Sequence, residues 1–266
     1  MLGAIIGDVV GSRHEFNNYL KKDFKLLTKQ CTFTDDSVMT AAVADALLKC
    51  DGDWHGLAAQ TVESMQRIGR RYPYCGYGSR FIGWMFTDDP QPYNSFGNGS
   101  AMRVSAVAWV AQSLEECRAL ARTVTVVSHN HPEGIKGAEA TAVAVWMALH
   151  GAAKEEILTY FSRSYYPLGF TIDQIRPTYL HSESCQDTVP QALEAFAEGN
   201  DYEDVIRTAV SLGGDSDTIA AIAGAVAEAY YGIPEALREE VLTHYLDACL
   251  AGVVNAFEAK YGKKPA

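Results

Sequence analysis

Apolar residues recur along most of this chain with the three-to-four-residue spacing of an amphipathic helix, and runs of strict alternation are scarce. Residues 2 to 11, with glycine at 3, 7 and 11, read as a packed helix whose small-residue face lets another backbone come close. Further helices are predicted from the acidic entrance at Asp35 and Asp36 through Leu48, over Trp54 to Arg70, over Val104 to Gln112, and from near Leu114 to Ser128. The pattern continues over Ile135 to His150, 155 to 163, 189 to 198, Tyr202 to Val210 and Ile219 to Tyr230. Leu237 to Lys260 reads as a closing pair of helices or one interrupted helix. Asn17 to Lys29 reads as a surface loop, and the Gly and Tyr segment Tyr72 to Ser79 as a flap or substrate wall. With no hairpin signal and no internal repeat, the expectation is an all-α single domain over residues 1–266.

Composition narrows the function classes. An apolar fraction of 48% with 21% charged residues describes a globular chain with a sizeable core. The net charge of -11 disfavours nucleic acid or an anionic membrane surface as the main partner. Six scattered cysteines with no C-x-x-C pair indicate neither a zinc ribbon nor a disulfide framework, and reduced thiols fit the cytoplasm. The apolar opening lacks a basic region and meets Asp8 too soon for a signal sequence, and no stretch reaches the roughly 18 apolar residues of a membrane span.

The chemistry concentrates at two helix entrances some 180 residues apart. Thr34-Asp35-Asp36-Ser37 opens one, and Gly213-Gly214-Asp215-Ser216-Asp217-Thr218 opens the other. One acid at a helix start is commonly a cap, because the unpaired amides and the helix dipole favour an anion there. Paired acids with threonines also make a hard-oxygen set suited to Mg²⁺, Mn²⁺ or Ca²⁺. A calcium EF-hand is excluded, since Ala220 and Val226 stand where its Gly and Glu belong. Asp35, Asp36, Asp215 and Asp217 would balance two divalent ions, whereas bare they would raise one another's pKa. Asp8 and Glu15 add acids at the end of the first apolar element.

Between the two entrances, Asn98 with Gly97 and Gly99 forms a G-x-G turn before a helix start, a backbone suited to anions. Neither Rossmann nor Walker spacing accompanies it. His129 and His131 lack the further ligands of a zinc site, so one reads as a ligand contact and the other as a helix-end partner.

These motifs, in this order over nearly the whole chain, resemble the ADP-ribosylglycohydrolase family. The resemblance implies an orthogonal multi-helix all-α fold, two Mg²⁺ or Mn²⁺ ions, and hydrolysis that releases ADP-ribose from an acceptor such as Arg, Ser or a small conjugate. It implies metal ligation by Thr34, Asp35, Asp36, Asp215, Asp217 and Thr218, with Glu15 and Asp35 in catalysis. Substrate contacts would come from Ser95, Phe96, Gly97, Asn98, Gly99, Ser100, Met102 and His129. The expected protein is a cytoplasmic monomer acting on an ADP-ribose-bearing substrate. The alternative is a catalytically inactive ADP-ribose-binding or structural relative. The opening motif departs from the family's G-D-A pattern at Val9, and the chain is compact, which leaves the acceptor open.

Overall fold

A computed structural model describes residues 1–262, which form fifteen α-helices. The first half contains α1 (Leu2–Gly11), α2 (Asp35–Cys50), α3 (Leu57–Gly69), α4 (Ser79–Phe86), α5 (Gly99–Met102), α6 (Val107–Val110) and α7 (Leu114–Val126). The second half contains α8 (Pro132–Leu149), α9 (Lys154–Ser164), α10 (Ile172–Ile175), α11 (Val189–Glu198), α12 (Tyr202–Ser211), α13 (Ser216–Tyr231), α14 (Glu235–His244) and α15 (Ala248–Tyr261). Among the described residues the one β-type pairing is an isolated bridge between Gly97 and Ser184. None of the described helices is long and apolar enough to cross a membrane.

At the centre, α1 lies against α13, and every residue of α1 is buried. The glycines explain the closeness. A Cβ at Gly3 would meet the Gly224 carbonyl, one at Gly7 the Ala220 carbonyl, and one at Gly11 the Ser216 carbonyl. The two backbones therefore touch with no side-chain layer between them. Glu228 of α13 accepts from the Gly3 amide at 2.9 Å, satisfying a first-turn donor of α1. Around this pair pack α2, α8, α11 and α12, so both acidic entrances are anchored to one rigid centre.

Most predicted helices are present, and the closing segment is a pair. The expected helix over Val104 to Gln112 is reduced to the single turn α6, and another single turn, α5, precedes it across Arg103 to Ala106. All residues from Ser100 to Ala108 are buried, so apolar periodicity there reports burial on every side rather than one helical face. The short α4 and α10 lay outside the expected set.

Candidate functional site

The first entrance is built on Asp8. This residue sits in the last turn of α1, wholly buried, and its carboxylate accepts from the Thr34 amide (2.9 Å), the Thr34 hydroxyl (2.7 Å), the Ser37 amide (3.0 Å) and the Ser37 hydroxyl. The start of α2 is thus fastened to the end of α1. Thr34 is the helix cap, accepting from the Asp36 amide at 3.3 Å. Asp35 and Asp36 are freed from capping.

At the second entrance Gly213 and Gly214 have φ of +82° and +69°, a left-handed pair that only glycine adopts at low cost. They turn the chain into α13 so that Asp215, at the cap position, makes no capping bond. Its Oδ2 instead accepts from Asn98 Nδ2 at 2.6 Å, and the same amide reaches Thr188 Oγ1 at 3.0 Å. The Thr218 hydroxyl donates to Asp36 Oδ2 at 3.2 Å, joining the two entrances directly. Carboxylate oxygens of Glu15, Asp215 and Asp217 all lie within 4.8 Å of one another.

Crowding and burial raise Asp8, Glu15, Asp35, Asp36 and Asp217. Burial, then neighbouring carboxylates, hold Asp35, Asp36 and Asp217 well above the ordinary range. Burial also lifts Asp8 to about 6 against its four donors, and burial with the Asp215 charge lifts Glu15 to about 7. Asp36 Oδ1 is buried with no hydrogen-bond partner among the described residues. An orphaned anionic oxygen in a set of hard donors fits a divalent cation.

The acids open onto a cavity of about 300 Å³. Of the residues expected at the site, Glu15, Thr34, Asp35, Asp36, Ser95, Gly97, Asn98, Gly99, Met102, His129, Asp215, Asp217 and Thr218 line it. Phe96 and Ser100 are not in the lining. The Phe96 ring stands edge-on to His131 at 5.4 Å, and it is turned that way because the loop backbone pairs with Glu183 and Cys185. Ser100 is wholly buried beneath the loop and donates to the Gly134 carbonyl at 2.8 Å. His131 caps α8 through Nδ1, the helix-end role expected of one histidine of the pair. The Tyr72 to Ser79 loop supplies Gly76, Gly78 and Ser79 to the wall.

Several lining residues had no sequence signal of their own. Arg80 and Phe81 reach the cavity from α4, Tyr93 and Glu183 from two loops, and Arg103 does so while 1% exposed. A buried arginine reads in sequence like any surface cation.

A family model described as ADP-ribosylglycohydrolase matches residues 1–265. The chain belongs to the ADP-ribosylglycohydrolase family. The ADP-ribosylarginine hydrolase Tri1 of Pseudomonas putida is 30% identical over 88% of the chain and 70% of its own length. The human ADP-ribosylhydrolase ARH3 is 25% identical over 90% of the chain and 87% of its own length. A solved structure titled ADP-ribosylglycohydrolase-related protein complex superposes with a TM-score of 0.72 at 25% identity, covering 97% of this chain and 95% of that one. This ADP-ribosylglycohydrolase is thus a hydrolase of glycosidic bonds that removes ADP-ribose.

Proposed function

We propose that this ADP-ribosylglycohydrolase uses two divalent cations, Mg²⁺ or Mn²⁺, to release ADP-ribose from a modified arginine side chain. The observation that carries the reading is the joining of two distant acidic entrances around one cavity, with Asp36 Oδ1 left unpartnered. Thr34, Asp35, Asp36, Asp215, Asp217 and Thr218 would hold the ions. Bound there, the ions would neutralise the acids and supply Lewis acidity toward oxygen.

The chain's own residues have distinct tasks in this reading. Glycines 97 and 99 leave the loop backbone open to an anion, and His129 stands beside them, as a pyrophosphate requires. Hydrolysis adds a water oxygen to the ribose anomeric carbon, breaks the bond to the acceptor, and returns the water's proton to the departing nitrogen. Glu15, a half-buried carboxyl at the cavity beside Asp215 and Asp217, is placed to hold and pass on that proton. Asp35 would act beside it on the same water. Support for arginine comes from the cavity edge, where the Phe16 ring, 87% exposed, and Glu183 offer an aromatic face and a carboxylate to a guanidinium. The name of the Tri1 relative points the same way.

The test is to load dialysed protein with Mg²⁺ or Mn²⁺ and follow ADP-ribose release from ADP-ribosyl-arginine and ADP-ribosyl-serine peptides by mass. Two ions per chain and faster release from arginine are expected. One tightly held zinc would overturn the metal assignment, and faster release from serine would overturn the acceptor. A protein that binds ADP-ribose without releasing it from either peptide would be the inactive relative.

A further inference from the structure

Arg103, between α5 and α6, is almost fully buried, and its guanidinium lies over the Phe81 ring at 5.6 Å. Its Nε has no partner among the described residues, while its Nη2 donates to Ser128 Oγ at 2.8 Å. Ser128 Oγ in turn lies 2.8 Å from His129 Nδ1. The direction of the first bond is fixed, because a guanidinium donates and never accepts. Ser128 is wholly buried, so its own proton has no solvent to turn to. His129 Nδ1 is the one acceptor within reach of that proton among the described residues.

Donation in the opposite sense, from Nδ1–H to Ser128, would make the serine a double acceptor and strand its proton in a dry site. A doubly protonated ring would strand it equally, and burial with the Arg103 charge holds His129 well below its ordinary pKa. The proton order therefore runs from Arg103 to Ser128 to Nδ1, which leaves Nε2 as the nitrogen bearing hydrogen. Nε2 faces the glycine loop. A Cβ on Gly99 would lie 3.4 Å from it and one on Gly97 3.6 Å, so only a backbone without side chains leaves room for a ligand atom there.

We infer that Arg103 and Ser128 are positioning residues that lock His129 as an Nε2–H donor aimed at an oxygen of the bound ADP-ribose. The inference rests on the ligand proposed above, but the locked tautomer is a property of the free protein. Long-range nitrogen-proton NMR on histidine-labelled protein should show a single form at neutral pH, with Nε2 protonated and Nδ1 bare. Ser128→Ala keeps the Arg103 packing and should give two tautomers and a Kd for ADP-ribose raised roughly tenfold, the scale of one hydrogen bond to a charged group. Ser128→Thr retains the hydroxyl and should restore both readouts. Arg103→Met, where it folds, should free Ser128 to accept and shift the proton toward Nδ1.

Wild-type protein with Nδ1 protonated would overturn the inference. So would Ser128→Ala protein with the wild-type tautomer and affinity. Wild-type protein that has the Nε2–H ring but binds no ADP-ribose would overturn the proposed ligand and the donor role while leaving the tautomer intact, so the two failures are distinguishable.

Discussion

Asp8, in the last turn of α1, and Glu15, in the loop just beyond it, do opposite things. Asp8 faces four donors and serves the fold, whereas Glu15 faces two carboxylates at the cavity. Asp8→Asn places an amide against those donors, so a loss of about 3 kcal/mol or more is expected in urea unfolding with chelator. Glu15→Gln should leave folding nearly intact and retain both ions, while kcat falls by about 10²- to 10⁴-fold, the usual worth of a general acid or base. Loss of one ion in that variant would make Glu15 a ligand. The acids were legible in the sequence because paired Asp at a helix start is conspicuous. The partners that orient them were not. Asn98 holding Asp215 is a contact across about a hundred residues, and Arg103 holding Ser128 beside His129 one across about two dozen, and no local pattern encodes either. Phe96 and Ser100 belong to the glycine loop in sequence, but backbone pairing with Ser184 and its neighbours turns one outward and buries the other.

Elements were readable where helical spacing runs unbroken, whether one face is buried, as in α7 and α12, or nearly all of the helix, as in α1 and α13. The predicted boundaries of α7, α8, α11 and α12 lie within a few residues of those observed, since polar and apolar sides differ. The α5–α6 region failed because apolar spacing runs on through Arg103 to Ala106, where the buried chain is not helical. The α1 glycines give the sharpest test at this scale. Gly7→Ala would drive a methyl into the Ala220 backbone, which cannot yield, so the variant should lose several kcal/mol or fail to fold. Gly83→Ala in α4 meets nothing within 4 Å and should gain about 0.5 to 1 kcal/mol. Thermal unfolding of the pair in the same buffer checks both signs.

For the whole molecule, the acidic centre couples stability to pH and, through the proposed ions, to metal. Native Glu15 is raised from 4.5 to about 7 and Asp8 from 3.8 to about 6, with Asp35, Asp36 and Asp217 also raised. A raised native carboxyl pKa means that the folded state binds more protons than the unfolded one, so stability falls as pH rises. In chelator the melting temperature should therefore drop steadily between about pH 4.5 and about pH 7. On the proposed two-ion reading, saturating Mg²⁺ or Mn²⁺ should bind the native state, lift the neutral end and flatten or reverse that slope. A melting temperature in chelator that rises toward neutral pH would contradict the coupling. The pairing of α1 with α13 also sets a schedule for synthesis. Residues 2 to 11 are made well before their partner backbone, which follows only after some two hundred more residues, on the order of 10 to 40 s later at ordinary elongation rates. Through that interval a mostly apolar helix with three glycines can meet α2 but lacks the α13 backbone that covers its glycine face. Nascent chains stalled before α13 should be the species that chaperones capture, and release of a full-length chain should end that capture.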